Sequence, residues 1–220
     1  MDKKIKIIYN NWDAVPIGAY KRIVEINNDE GMETMAKNVA SLAILCDTDE
    51  DSIWNLSMDE ISRLTKNMDW INDFDFKKRW TIKHVTLNGR KYNVTYDLNK
   101  MSVAQYIDFQ QAWRIQDATE KLVPVLSCFL VPDGHKYGDG YDIEEVRNDI
   151  ENYLPITQAN SICFFFLKKL LSSMKSSLIC SRMVLKATKW TTKSQKMKEM
   201  MKETERKISQ MESFYFSGSH

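Results

Sequence analysis

Helix-breaking residues are scarce in this chain, whose 220 residues include only four prolines and seven glycines. Long uninterrupted helices are therefore expected. The scarcity is greatest toward the end, because residues 157–217 contain neither proline nor glycine. Apolar residues make up 43% and charged residues 28% of the chain, so a folded domain with a sizeable core is expected rather than disorder.

Cysteine and histidine are also few, and their spacing excludes the common metal and redox motifs. Cys46, Cys128, Cys163 and Cys180 form no C-x-x-C pair, and none of the three histidines lies at zinc-finger spacing. The cysteines are therefore predicted to be reduced thiols. No Ser-His-Asp or Cys-His arrangement is recognisable, so the chain is predicted to be no enzyme and to need no cofactor.

Long apolar runs are absent as well. The opening residues, MDKKIKIIYNNW, place only three apolar residues in succession, and no secretory signal is expected. The most apolar stretch, residues 162–171, includes Lys168 and Lys169 and is too short to cross a bilayer. No membrane partner is expected.

Charge is divided unequally along the chain. Residues 156–220 carry 12 Lys and Arg against 4 Glu, a balance of +8. The other residues carry 31 − 12 = 19 basic and 30 − 4 = 26 acidic side chains, a balance of −7. This polarity is consistent with an end-to-end or multi-partner contact, and equally with a basic tail that folds against its own acidic domain.

The periodicity predicts a mainly α fold of the α+β class, with one β-hairpin and a long C-terminal helical extension. Helices are expected after Pro16, after Gly31, after the capping-box pair Ser57 and Glu60, and after Ser102. Asn88-Gly89 supplies the two positive φ angles of a type I′ turn, so a hairpin is predicted at about 79–98. A short helix capped by Asp142 and Glu145 should end before Pro155. The predicted domains are 1–156 and the basic extension 157–220.

Two acidic loops invite a metal interpretation. Asp47, Asp49 and Asp51 begin like a calcium loop, but Ser52 and Met58 occupy positions that need Gly and Glu. Capping of a short turn at 52–56 is the favoured interpretation. The loop 132–141, with Asp142 after it, offers Asp133, His135, Asp139 and Asp142 as ligands for a divalent metal, although glycine-rich loops with Asp are more often ordinary turns.

The candidate interaction surface lies in the extension, where residues 152–198 contain no acid and nine Lys or Arg. Residues seven apart fall on one side of a helix, so two parallel rows are predicted. The apolar seam comprises Phe164, Leu171, Leu178 and Leu185, and the basic ridge comprises Lys168, Lys175, Arg182, Lys189 and Lys196. The ridge is either a solvated face or a surface for phosphates or an acidic protein. Few aromatic residues accompany it, so sequence-specific nucleic-acid recognition is not expected.

Several short motifs in residues 14–171 resemble those of the small helical tail assembly chaperones of tailed bacteriophages, and of related short proteins of phage structural modules. The motifs are 15–20 (VPIGAY), 42–45 (LAIL), 53–57 (IWNLS), Glu60, the Asn88-Gly89 hairpin with Tyr92, Asp97-Leu98 and 104–108 (AQYID). Such chaperones bind the tape-measure protein and tail-tube subunits. The resemblance ends after about Leu171, so the basic extension favours a protein retained at the neck, tail or capsid interior.

The resemblance implies a non-enzymatic phage morphogenesis protein, either a virion component or a tail assembly chaperone, whose partners are tail, neck or capsid proteins. Homo-oligomerisation and non-specific DNA contact are further expected interactions. It would act in the host cytoplasm during assembly, or remain in the virion. One alternative is a nucleic-acid-associated packaging component that uses the basic ridge. Another is a metal-dependent hydrolase that uses the 133–142 loop.

Overall fold

The computed structural model describes residues 5–66, 68–72, 80–97, 100–187, 202, 203 and 206, with the backbone alone for residues 69, 72, 171 and 173–187. The described residues fall into two compact units. One holds those of 1–95 and 100–162, and the other those of 96–99 and 163–220.

Helices fill the first part of the larger unit, as the periodicity predicted. They are α1 (Ile17–Asn28), α2 (Thr34–Cys46), α3 (Glu50–Trp54) and α4 (Met58–Thr65), followed by a 3-10 helix over Asp69–Asn72. Pro16 stands at the N-cap of α1. The predicted capping box is confirmed at α4, because Ser57 accepts from the Glu60 backbone N–H while the Glu60 carboxylate accepts from the Ser57 N–H.

The acidic run between α2 and α3 contains the C-cap of α2 and the N-cap of α3. Asp47 closes α2 in the left-handed conformation, with φ of 49°. The Asp49 carboxylate accepts from the Ser52 backbone N–H at 2.7 Å and caps α3. Capping is thus confirmed for this run, but α3 begins at Glu50, two residues before the predicted turn.

The predicted hairpin is present and belongs to a three-stranded sheet. Strands β1 (His84–Leu87) and β2 (Arg90–Val94) pair antiparallel, with positive φ at Asn88 (48°) and Gly89 (74°). Both strands are shorter than the predicted span of 79–98. A third strand, β3 (Leu130–Pro132), pairs with β2 and was not predicted.

The remaining helices are α5 (Val103–Trp113), α6 (Ala118–Ser127), α7 (Ile143–Tyr153) and α8 (Ile156–Ala187). Ser102 caps α5, and Asp142 caps α7 by accepting from the Glu144 N–H at 2.9 Å. Glu145 is not the partner in that cap, because it pairs with Arg90. The predicted long helix is confirmed as far as Ala187, and the rest of the predicted extension lies outside the described residues, apart from residues 202, 203 and 206.

The core of the larger unit lies between the sheet and the helices around it. Fully buried side chains there include Ile17, Leu45, Leu87, Tyr92, Leu126, Phe129, Leu130 and Ile150. One polar cluster lies beside them. The Tyr92 hydroxyl donates to Asp149 Oδ2 at 2.5 Å, and Asn88 Nδ2 donates to Asp149 Oδ1 at 3.2 Å. This cluster fastens the hairpin turn and β2 to α7. In the smaller unit, the rings of Tyr96 and Phe165 pack edge-on at 6.3 Å.

Candidate protein-docking groove

A groove with a volume of about 450 Å³ lies where α1, α2, α4 and the 3-10 helix meet. Most of its lining is apolar, and three of the lining residues are methionines. The lining consists of Trp12, Ile23, Asn27, Met35, Asn38, Val39, Ser41, Leu42, Leu45, Met58, Ile61, Thr65, Met68 and Ile71. We call this feature the docking groove.

The docking groove has a rigid floor and a deformable rim. Val39, Leu42 and Leu45 on α2 form the floor and are at most 1% exposed. On the rim, Met35 is 43% and Met58 is 69% exposed. Methionine has three rotatable side-chain bonds and a polarisable sulfur, so a methionine rim can adapt to differently shaped apolar side chains. Such a surface is suited to the apolar face of a helix.

Trp12 occupies a fixed position at one end of the groove. Its indole Nε1 donates to the Trp70 carbonyl oxygen at 3.1 Å. Its ring packs edge-on against Tyr20, at 6.0 Å between centroids, and against Trp70, at 5.2 Å. Because Trp12 is held from two sides, it offers a preorganised aromatic surface, and preorganisation lowers the entropic cost of binding.

The segment 47–66, which contributes Met58, Ile61 and Thr65 to the lining of the groove, is acidic. Residues 47–66 carry six acids, Asp47, Asp49, Glu50, Asp51, Asp59 and Glu60, against Arg63 and Lys66, which gives −6 + 2 = −4. All of these acids except Glu60 are exposed. Hydrogen bonds from Ser52 lower the pKa of Asp49 further below its ordinary value, so Asp49 is charged at neutral pH. None of these acids is among the residues that line the groove, so they act on a bound partner only through the net charge of the segment.

The residues of the predicted interaction surface are only partly described. Lys168 lies on α8 and is exposed. Leu171, Lys175, Leu178, Arg182 and Leu185 lie on the α8 backbone, within one continuous helix. Lys189 and Lys196 lie outside the described residues. The helical spacing on which the seam and ridge depend is thus present over 168–185, and the interaction itself stays a prediction.

Asp133 and His135, two of the candidate metal ligands in the 133–142 loop, already contact other groups of the protein. Asp133 accepts from Asn93 Nδ2 at 2.7 Å and pairs with Lys91 Nζ at 3.2 Å, and these contacts lower its pKa. Tyr137 donates to Asp108 Oδ2 on α5 at 2.9 Å, and His135 Nδ1 lies 3.1 Å from the Asp139 carbonyl oxygen. Within the described residues, no three His, Cys, Asp or Glu side chains are grouped so that they could hold a metal ion.

We expect His135→Ala to lower the free energy of unfolding by less than about 1 kcal/mol, because the exposed imidazole contacts only nearby residues of the same loop, the Asp139 carbonyl oxygen and the ring of Tyr141. Denaturant unfolding measures this change, and elemental analysis of the purified wild type and variant measures bound metal. A stoichiometric metal in the wild type that is lost in the variant would instead support the hydrolase alternative.

The cysteines of the larger unit are buried. Burial raises the pKa of the Cys128 thiol to about 11, and Cys128 Sγ donates to the Pro124 carbonyl oxygen at 3.3 Å. Burial also raises the pKa of Cys46. A nucleophilic cysteine needs a low pKa and access to substrate. Neither thiol has these properties.

Comparison with protein-family models, with curated proteins and with solved structures finds no match. Among the described residues, no helix is both long enough and apolar enough to traverse a membrane. The arrangement of the docking groove is thus the main basis for assigning a function.

Proposed function

We propose that this chain is a non-enzymatic morphogenesis protein of a tailed bacteriophage that binds its partners through the docking groove. The observation that carries the proposal is the groove itself, which has a buried aliphatic floor, exposed methionines on its rim and a fixed tryptophan. The phage context comes from the short sequence motifs in residues 14–171. The protein acts in the host cytoplasm during assembly, and the basic extension favours its retention in the virion.

Complementation tests this function. A phage genome that lacks this reading frame is supplied with the chain in trans, and the yield of complete particles is counted. The groove variant is Met35→Lys with Met58→Lys, which places two charges on exposed rim positions without disturbing the floor. The control variant is Val103→Lys with Ile107→Lys, because these residues of α5 are also exposed, at 78% and 47%.

We expect the wild type and the control variant to restore particles and the groove variant to lower the yield by roughly tenfold or more, because two apolar anchors are lost. The proposal is wrong if deleting the reading frame leaves particle assembly unchanged, or if the groove variant matches the wild type. Mass spectrometry of purified particles then separates a structural component, which is present, from a chaperone, which is absent.

A packaging role is the second candidate. It is favoured by the acid-free run of residues 152–198 and by Lys168 and Lys169, both of which are exposed. Binding to phosphates is strongly weakened by salt. Retention of duplex DNA at low salt that is lost on charge reversal of the basic ridge would favour this candidate over protein binding.

A further inference from the structure

We infer that the outer edge of β1 is a contact surface for a second copy of this chain, whose own β1 pairs with it in antiparallel orientation. The two three-stranded sheets then form one continuous sheet across a two-fold axis. This contact is separate from the docking groove, since His84–Leu87 contributes no residue to the lining of the groove.

The hydrogen-bond pattern of the hairpin leaves two residues of β1 facing outward. A two-residue turn joins the strands, so Leu87 and Arg90 form a hydrogen-bonded pair. Such pairs alternate along antiparallel strands, so Val85 also bonds to β2, and the N–H and carbonyl groups of His84 and Thr86 face away from it. Both residues are exposed, and within the described part of the chain these backbone groups form no hydrogen bond.

The opposite edge of the sheet does not offer a comparable surface. Strand β3 ends at Pro132, which has no N–H to donate, and Leu130 in the same strand is completely buried. β1 contains neither proline nor lysine, two residues that commonly protect an edge strand from pairing. Among the described strands, β1 is therefore the one that can extend the sheet.

A second β1 fits this edge in one register. When Val85 lies opposite Val85 of the second copy, His84 lies opposite its Thr86, and every outward N–H meets an outward carbonyl oxygen. Charge is compatible with this register, because the nearest basic residue, Lys83, lies opposite Leu87 of the second copy. The contact is the same surface on both copies, so it yields a dimer and nothing larger.

The paired segment is short, so the contact is weak in free solution. Stable interfaces bury roughly 800 Å² on each partner, which is more than a strand of four residues supplies. We therefore expect a dissociation constant on the order of 0.1 mM for the full-length chain.

Hydrogen exchange of the full-length chain, followed by NMR at increasing protein concentration, tests the contact directly. The outward amides of His84 and Thr86 are bonded only in the dimer. We expect their exchange to slow by roughly threefold or more between about 10 µM and about 1 mM protein. The Val85 and Leu87 amides are bonded to β2 in every copy, so their exchange should change little.

Thr86→Pro tests the same edge by mutation, because it removes an outward N–H and leaves the hydrogen bonds between β1 and β2 in place. Thr86→Ala is the matched control, since it keeps the N–H. Sedimentation equilibrium measures the association. We expect the dissociation constant to rise by roughly tenfold or more in the proline variant, because the change acts twice in a two-fold dimer, and to stay within about threefold in the alanine variant.

The inference is overturned if the exchange of the His84 and Thr86 amides does not depend on concentration, whether or not the proline variant folds. It is also overturned by a folded proline variant that associates like the wild type. The groove variant (M35K/M58K) should associate normally, and its failure to do so would place the contact in the docking groove instead. Particle yield in the complementation test is a separate readout, so the proposed function stands or fails independently of this contact.

Discussion

Asp149→Ala is expected to lower the free energy of unfolding by about 2–3 kcal/mol, because it leaves the Tyr92 hydroxyl and the Asn88 amide without their acceptor. Asp149 is only 1% exposed, and its carboxyl group accepts from the Tyr92 hydroxyl and from Asn88 Nδ2. Its loss therefore removes two side-chain hydrogen bonds between the hairpin and α7, while the ion pair between Arg90 and Glu145 remains. Removal of the carboxyl group also leaves a cavity beside Tyr92, which is completely buried.

Equilibrium denaturation with urea measures the loss. Asp149→Asn is the matched control, because an amide keeps an acceptor for the tyrosine and nearly the same volume. We expect it to cost clearly less than the alanine variant. Equal costs for the two variants would show that the charge of Asp149, rather than its accepting oxygens, stabilises the contact.

The same cluster predicts a loss of stability in alkali. Burial, together with the hydrogen bond to Asp149, raises the pKa of Tyr92 above its ordinary value near 10. A raised folded pKa means that the contribution of Tyr92 is fully present below about pH 10 and is lost as the pH rises through the folded value. Above about pH 10 the stability of the wild type should thus fall more steeply than that of Tyr92→Phe. Parallel curves for the two proteins would contradict this.

The helices and the hairpin turn could be predicted because their signals are local. A helix cap is predicted by the pair Ser57 and Glu60, and a turn by the pair Asn88 and Gly89. Each signal lies within a few residues, and the structure contains both features. Strand β3 could not be predicted in this way. Leu130–Pro132 directly follows the last turn of α6, and its extended state comes from pairing with β2, nearly 40 positions earlier in the chain.

The sequence predicted the docking groove only indirectly. The twelve methionines indicated adaptable contacts, but their position on one rim depends on how α2 and α4 pack together. Charge and spacing identified the basic ridge but gave no indication of an apolar groove. The buried Asp149 carried no sequence signal, since an acid in the middle of α7 looks like part of a solvated face.

Phe129→Ala should lower the free energy of unfolding by about 3–4 kcal/mol, more than Asp149→Ala, because it removes a large buried ring and leaves a cavity. Phe129 is completely buried, and its ring lies 5.5 Å from that of Phe109 on α5. It stands at the turn between α6 and β3, where its carbonyl oxygen accepts from the Thr95 N–H at 3.0 Å. The ring therefore packs the start of the third strand against α5.

Denaturant unfolding again measures the change, and Val103→Ala on the exposed surface of α5 is the control, with an expected change within about 0.5 kcal/mol. A loss below about 1 kcal/mol for Phe129→Ala would mean that this region of the core is loosely packed. Phe129 is not among the lining residues of the docking groove. Below the midpoint of its unfolding transition, the variant should thus still restore particles in the complementation test, whereas the groove variant should not.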